Sequence, residues 1–364
     1  MMDSMKVWIS GVFAAVALAG CGYAEFYWQG VSGQVDLLTR AKPISEVVAT
    51  TDDPSLKDRL TRIQQIRAFA SHELGLPQNR SYTRYSDLGR PFVVWNVFAT
   101  PELSLNPREW CFPVAGCVSY RGYFNEAEAK AEAERLRASG DDVYMSGVPA
   151  YSTLGYFEDP VLSTFVRFRE IELARLLFHE LSHQIVYVRD DTSFNESFAV
   201  AVEEEGLRRW LDAQQRVRDP AEMARLTEDA ARAQRLRSDF RTLMRATREH
   251  LGVLYASNAT EADKRAGKAA AFATMRNEYE RMKSAWGGAP AFDRWFSAGA
   301  NNAGIAASGL YNDRVPQFAA LLASEHGDLP RFYARVKELA ALPKAEREVT
   351  LARVTADVQS AQAR

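Results

Sequence analysis

The stretch IELARLLFHELSHQIV, residues 171–186, contains the pattern HExxH at His179, Glu180 and His183. Residues four apart lie on one face of a helix, so the two imidazoles are expected to point at a common metal ion. The apolar residues around them predict a largely buried helix, in which imidazoles need polar partners or a metal. The alternative is an amphipathic helix that carries incidental histidines.

The residue types of this pattern suit zinc. Neutral imidazoles are common zinc ligands, and three protein ligands that leave one position open are typical of a catalytic rather than a structural site. Glu180 is adjacent to the first histidine in the sequence. It is therefore predicted to act as a general base on a water molecule that the metal has made more acidic. The third ligand has to come from another element.

Glu196 is the predicted third ligand. A turn signal at residues 189–193 separates the HExxH helix from a second predicted helix, residues 195–211. Helices joined by such a loop can pack antiparallel, which brings the first turn of the second helix back to the metal. The charge run at residues 203–205 predicts a solvated face. In the alternative, Glu203 is a hydrogen-bond acceptor for a ligand histidine.

HELSH followed by NESFA at residues 195–199 resembles the gluzincin pattern that aminopeptidase N-type enzymes and thermolysin share. Glu196 follows the second histidine sooner here than in either of those. The sequence is more similar to a bacterial family of zinc aminopeptidases predicted from sequence, through residues 112–116, 150–155, 179–183 and 301–303. This resemblance implies an α+β, mainly α, zincin-like fold with a small N-terminal sheet and a helical C-terminal region. It also implies a zinc cofactor and a peptide substrate.

The first residues predict a targeting segment. A short charged region precedes an apolar stretch, residues 7–20, that is too short to span a membrane comfortably. The run LAGC that ends at Cys21 resembles the bacterial lipobox, which implies a signal peptide, residues 1–20, and lipidation of Cys21. Gly22 rather than Asp follows the cysteine, so we expect a lipid anchor in the outer membrane, facing the periplasm. The alternative is an ordinary signal peptide with an incidental cysteine.

The other two cysteines, Cys111 and Cys117, flank the sequence FPVAG. The Pro and Gly of this sequence predict a turn that brings the cysteines together. In an oxidising periplasm such a pair is expected to form a disulfide across a small loop. A pair of free buried thiols is the alternative.

Length and composition favour one large domain or two closely associated ones. Hydrophobic residues make up 47% of the chain, and 45 Lys and Arg residues against 47 Asp and Glu residues give a net charge of −2. This balance has no basic excess, so it gives no indication of a nucleic-acid partner. The expected segments are the signal peptide 1–20, a peptidase domain 21–345 (helices and small sheet 21–160, metal-site helices 161–215, helical arm and C-terminal helices 216–345) and a polar tail 346–364.

Apolar periodicity predicts helices together with a few strands. Helices are expected at residues 23–44, 56–74 and 127–139, and a long, charge-rich helical hairpin at residues 207–286. Strands are expected at residues 91–99, 118–123 and 142–148.

The segment before the HExxH helix is a candidate for substrate binding. Tyr151, Ser152 and Gly155 are expected to form a sheet edge that pairs with extended substrate, because Gly155 allows a close backbone approach. An ordinary connection is the alternative. Residues 157–160 are expected to start the next helix, with Glu158 as part of its cap or as a ligand for a peptide's free amine.

An oxyanion-stabilising side chain is expected from the C-terminal part of the chain, because the gluzincins that this sequence resembles often supply a tyrosine or histidine there. Tyr311 follows a Gly-rich segment and is the first candidate, and His326 is the second. Packing or capping is the alternative role for each.

The function predicted from these features is a zinc peptidase, in particular an aminopeptidase, anchored to the cell envelope. A zinc endopeptidase or an amidase of peptidoglycan peptides is the alternative within enzymes. A non-catalytic zincin-like scaffold is the alternative outside them. Glu180 disfavours the scaffold, since a protein that only binds peptides needs no general base.

Overall fold

Helices form most of the computed structural model, which describes residues 25–112, 116–309 and 314–362. Cys21 and Tyr311 lie outside the described residues. The helices are α1 (residues 25–40), α2 (Ile44–Thr50), α3 (Pro54–His72), α4 (Glu126–Ala138), α5 (Glu170–Ser182), α6 (Thr192–Gln214), α7 (Pro220–Ala256), α8 (Glu261–Ala285), α9 (Asp293–Ser297), α10 (Asn302–Gly309), α11 (Val315–Ser324), α12 (Leu329–Ala340) and α13 (Lys344–Gln362).

The strands are short and form small sheets. They are β1 (Lys42–Pro43), β2 (Arg84–Ser86), β3 (Val94–Pro101), β4 (Trp110–Phe112), β5 (Gly116–Val118), β6 (Arg121–Tyr123), β7 (Asp141–Val148) and β8 (Val161–Leu162). The chain is therefore α+β and mainly α, which confirms the predicted fold class. Among the described residues, no helix is both long and apolar enough to cross a membrane.

Helices α5 and α6 pack antiparallel against each other at the centre of the largest core. The Trp210 indole near the end of α6 donates to Glu170 at the start of α5, over 3.0 Å. Gly206 of α6 faces Phe178 of α5, and a Cβ at Gly206 would lie 2.7 Å from the Phe178 ring. Because α6 has no side chain at this position, the helices approach closely enough for residues at their facing ends to meet.

The sheet β6-β3-β7 is antiparallel and separates two apolar clusters. On one face, Trp95 and Val97 of β3 pack with Leu136 of α4. On the other face, Phe98 of β3 and Tyr144 of β7 pack with aromatic residues from the α7–α9 region. The alternation of these side chains along β3 follows the two-residue period of a strand. The strands predicted at residues 91–99 and 142–148 thus correspond to β3 and β7.

A second sheet, β1-β2-β8, was not expected from the sequence. Its strand β8 pairs parallel with β2, with Tyr85 opposite Val161, and both residues of β8 are buried. The helix predicted to start at residues 157–160 is wrong for this reason, because the chain forms β8 and turns before α5 begins at Glu170.

The C-terminal part of the chain packs onto the core. Helices α7 and α8 form the long hairpin that the sequence predicts, and α13 packs against α11 and α12. Residues 346–364, expected as a polar tail, are helical as far as Gln362, and Leu351 is fully buried in the largest core cluster. The first turns of α13 therefore belong to the folded unit.

Candidate metal centre

His179 and His183 face each other at the C-terminal end of α5. Their Nε2 atoms are 3.3 Å apart, although His183 follows the last residue of the helix. The backbone of His183 keeps helical angles, with φ −60° and ψ −20°. The four-residue spacing of the HExxH pattern therefore brings the two imidazoles together, as the sequence predicts.

Glu196 reaches these two imidazoles from the first turns of α6. Its Oε2 atom lies 3.2 Å from Nε2 of His179 and 3.8 Å from Nε2 of His183. One ligand atom from each of the three residues lies within 4.8 Å of the others, a grouping that is compatible with a metal ion. The three side chains are only 8–15% exposed. The structure thus brings together the three residues predicted as ligands.

The loop between α5 and α6 fixes where Glu196 lies. The side chain of Asn195 accepts from the Val188 amide over 2.8 Å and donates to the Val188 carbonyl over 2.7 Å. Asp191 caps α6 by accepting from the amide of Phe194. These contacts tie the start of α6 to the loop, and they give Asn195, the residue before Glu196, a structural role that the sequence analysis did not identify.

Glu203 holds the other nitrogen of His179. The Nδ1 atom of His179 lies 3.0 Å from Oε2 of Glu203, and Glu203 is also paired with Arg175. A hydrogen on Nδ1 directed at this carboxylate leaves the lone pair of Nε2 facing Glu196. Glu203 therefore has the acceptor role given as the alternative, and the solvated face predicted for residues 203–205 is wrong for Glu203, whose side chain is 12% exposed. The neighbouring Glu204 pairs with Arg241 instead.

Burial and neighbouring charges shift the pKa values of the cluster. Burial raises the pKa of Glu180 to about 7, and the negative charge of Glu196 contributes. Burial lowers the pKa of His183 to about 4. Burial also acts to lower the pKa of His179, but hydrogen bonds to Glu196 and Glu203 hold it well above its usual value. A carboxyl group that titrates near neutrality is suited to both accepting and donating a proton.

The donor set fits a cation. The Nε2 atoms of His179 and His183 and a carboxylate oxygen of Glu196 converge, and a single proton between two of them leaves the third without a partner. Two imidazoles and one carboxylate are nitrogen and oxygen ligands of a kind that metal sites use.

Tyrosines that the sequence analysis did not identify lie near the cluster. Burial, followed by the charge of Glu196, raises the pKa of Tyr120, so its phenol stays protonated and able to donate a hydrogen bond. Tyr120 occupies the break between β5 and β6, inside the range predicted as one strand. The hydroxyl of Tyr82 is buried and unpartnered among the described residues, and the charge of Glu180 adds to the effect of burial in raising its pKa. His326 is exposed in the turn between α11 and α12.

The segment that contains Tyr151, Ser152 and Gly155 is a turn and not a strand. The carboxylate of Asp159 stabilises this turn by accepting hydrogen bonds from the amide and the hydroxyl of Thr153, over 3.0 and 2.7 Å. The structure therefore has no strand at the predicted sheet edge, and the role of Tyr151, Ser152 and Gly155 in substrate binding stays a prediction.

This turn lies close to the C-terminal end of α5. Gly155 has φ +83°, and a Cβ built on it would lie 3.5 Å from Oε1 of Gln184, the residue after His183. Tyr151 packs edge-on against Phe124, with ring centroids 5.8 Å apart. Burial raises the pKa of Asp159 to about 6. Glu158, in contrast, caps no helix and pairs with Arg80 over 3.1 Å near the surface.

A disulfide joins Cys111 and Cys117 across the β4–β5 hairpin. The amide of Cys117 donates to the carboxylate of Asp190 over 2.5 Å. Gly116, with φ +75°, also lies against this carboxylate, which leaves no room for a side chain there. The hairpin is therefore fastened to the loop that connects α5 and α6.

Comparison with known families adds one finding. The sequence model of the family described as "Putative aminopeptidase" matches residues 25–351, a range that contains the whole metal cluster. The match supports a peptidase. No curated protein matches the chain, and no solved structure matches it.

Proposed function

Because the chain belongs to the "Putative aminopeptidase" family, we propose that it is a zinc-dependent aminopeptidase. The observation that supports the metal most directly is the convergence of His179, His183 and Glu196, with one ligand atom from each within 4.8 Å of the others. Glu180 lies beside this cluster in the HExxH pattern, where a general base is needed. The family description supports the restriction to substrates with a free N-terminus.

Each residue of the cluster has a separate task in this proposal. When bound, zinc would supply Lewis acidity and lower the pKa of a water molecule. Glu180 accepts a proton from the attacking water and passes it to the leaving amine. Tyr120 donates a hydrogen bond to the developing oxyanion. Glu203 orients His179.

The decisive measurement separates metal binding from turnover. Glu180→Gln should retain stoichiometric zinc and lose about 100-fold or more in kcat, because a general base contributes that much and Glu180 is not a ligand. Replacement of His179, His183 or Glu196 by Ala should remove both zinc and activity. Metal content by mass spectrometry, together with a digest of a peptide library, measures both quantities.

The same digest distinguishes the competing activities. A comparison of free with acetylated N-termini identifies an exopeptidase, since only an aminopeptidase loses activity on the acetylated set. Cleavage of both sets would indicate an endopeptidase instead of an aminopeptidase. Cleavage of peptidoglycan peptides alone would indicate an amidase. If the wild-type protein holds stoichiometric zinc but cleaves no peptide, the protein is a non-catalytic zincin-like scaffold. Full zinc retention in Glu196→Ala would overturn the ligand assignment.

We also propose that the protein is anchored to the outer membrane through a lipid on Cys21, a residue outside the described ranges. The lipobox-like sequence LAGC supports this proposal. Lipid labelling that is unchanged in Cys21→Ser would refute it.

A further inference from the structure

A cavity of about 770 Å³ lies beside Glu203, on the side of α6 that faces α7, α10 and α11. We call it the arginine cavity because, among the described residues, its charged lining consists of two glutamates, Glu203 and Glu204, and five arginines: Arg175, Arg237, Arg241, Arg245 and Arg248. The described side chains that line the cavity therefore carry more positive than negative charges.

Arg237 distinguishes this cavity from a surface ion-pair network. Arg175 pairs with Glu203, and Arg241 pairs with Glu204 over 3.2 Å. The Nε and Nη2 atoms of Arg237, by contrast, are buried and have no hydrogen-bond partner in the part of the chain that the structure describes. Burial, followed by the nearby charge of Arg175, lowers the pKa of Arg237 to about 10. Glu203 and Glu172 are near enough to favour the charged form of Arg237. Two buried guanidinium nitrogens without hydrogen-bond partners are nevertheless unfavourable unless an acceptor reaches them.

The remaining lining indicates what kind of anion fits. Phe240, Met244, Ile305 and Val315 supply apolar walls to the same cavity. Its volume lies in the range of sites that bind organic ligands, which combine apolar walls with a few directed polar groups. A carboxylate on an apolar body matches this lining better than a small inorganic anion does, and the fork of a guanidinium suits a carboxylate.

The arginine cavity and the metal cluster share one face of α6. Glu196, Val200 and Glu203 follow one another at spacings of four and three residues, so they lie on one face of α6. Glu196 is a metal ligand in our proposal, whereas Val200 and Glu203 line the cavity. The carboxylates of Glu196 and Glu203 contact the two ring nitrogens of His179, so the cavity begins behind this imidazole.

We propose that the arginine cavity binds a carboxylate of the peptide substrate, with Arg237 as its principal partner. The carboxylate is either the C-terminus of a short peptide or an acidic side chain. This inference rests on the proposed peptidase function and adds a substrate class to it.

Binding to an inactive protein tests the inference without requiring turnover. Zinc-loaded Glu180→Gln protein is titrated calorimetrically with tetrapeptides that carry a free C-terminus, an amidated C-terminus, or an amidated C-terminus with a glutamate side chain. We expect at least one carboxylate-bearing peptide to bind about tenfold or more tightly than its neutral counterpart. The peptide that shows the preference identifies the source of the carboxylate.

Variants of Arg237 connect that preference to the cavity. Arg237→Gln and Arg237→Met, each combined with Glu180→Gln, should abolish the preference for the carboxylate. Arg235→Gln is the matched control, because Arg235 is exposed on the same helix and does not line the cavity. The Arg237 variants should not lower the unfolding temperature of the ligand-free protein, since they remove two buried nitrogens that have no hydrogen-bond partner among the described residues. A purely structural arginine would lower it.

Several outcomes would overturn the inference. Equal binding of charged and neutral peptides would do so, as would a preference that survives in both Arg237 variants. Arg237-dependent binding of inorganic phosphate that no peptide displaces would assign the cavity to a different ligand. Failure of the peptidase proposal has a different signature, in which wild-type protein binds the carboxylate peptide through Arg237 and holds zinc but hydrolyses no peptide.

Discussion

Both nitrogens of the His179 imidazole have defined partners, and this determines how the residue can act. Nε2 faces Glu196 and His183, whereas Nδ1 faces Glu203 at 3.0 Å. Arg175, which is 8% exposed, pairs with the same Glu203 carboxylate and keeps it ionised and in place. A carboxylate behind a ligand histidine increases the basicity of the ligand and fixes its tautomer.

Glu203→Ala should therefore weaken zinc binding by about 10–100-fold, although Glu203 is not a ligand. The substitution leaves Nδ1 of His179 without an acceptor and Arg175 without its partner. Glu204→Ala is the matched control, because Glu204 is the adjacent residue and pairs with Arg241 instead. Competition with a chromophoric chelator measures both affinities. Equal losses in the two variants would mean that general charge, and not the contact with His179, is responsible.

The sequence predicts part of this site for a physical reason. The spacing within one helix is sufficient to bring His179 and His183 together, and the short loop that follows restricts the choice of the third residue to the first turns of α6. Tyr82, Tyr120 and Asp159 come from segments that precede α5 and that no local period connects to it. Their positions depend on how the sheets pack against the helices, so a local sequence pattern does not indicate them.

At the scale of elements, the contact between α5 and α6 determines the geometry of the metal centre. Gly206 lies where the helices approach most closely, since an added Cβ would lie 2.7 Å from the Phe178 ring and 2.8 Å from Leu74. Phe178 precedes His179 in α5, so a side chain at position 206 that displaces the Phe178 ring would also shift His179. The apolar spacing in the sequence indicates that the helices are amphipathic, but it does not indicate how closely they pack.

Gly206→Ala should destabilise the protein by about 1–2 kcal/mol, because the overpacking of a tight contact outweighs the gain in helix propensity. Gly252→Ala is the opposite case, since Gly252 lies in α7 and an added Cβ would have no heavy atom within 4 Å. It should stabilise the protein by about 0.5–1 kcal/mol. Urea unfolding of the metal-free protein measures both changes. A stabilising effect of Gly206→Ala would show that the interface can relax.

Long elements and short elements differ in how well the sequence predicts them. The helices α3, α6, α7 and α8 are 19 to 37 residues long, and strands β3 and β7 have eight residues each. The strands of the sheet β1-β2-β8 have two or three residues each and pair over large separations in the chain. A segment of that length has no measurable period, so tertiary contacts determine its structure.

At the scale of the whole molecule, Asp191 connects the C-terminal helix to the metal centre. Asp191 caps α6 and accepts from Arg347 of α13 over 2.9 Å, and these side chains are 2% and 4% exposed. Arg314 makes a second, longer contact with Asp191 at 3.3 Å. Arg347 also lies over the ring of Phe194 in the first turn of α6. The end of the chain thus supports the turn from which Glu196 projects.

Arg347→Met should destabilise the protein by about 3 kcal/mol or more, because it leaves the buried Asp191 carboxylate with Arg314, at 3.3 Å, as its remaining ion-pair partner. Zinc affinity should fall in parallel, since the cap that positions the first turn of α6 is weakened. Arg353→Met removes the same charge from an exposed position on α13 and should change stability by no more than about 0.5 kcal/mol. Urea unfolding of metal-free protein and zinc titration under native conditions give the two quantities separately.

A loss of stability with unchanged zinc affinity would show that α13 supports the fold but not the position of Glu196. If both quantities fall together, the metal centre depends on a contact between residues at opposite ends of the C-terminal half of the chain.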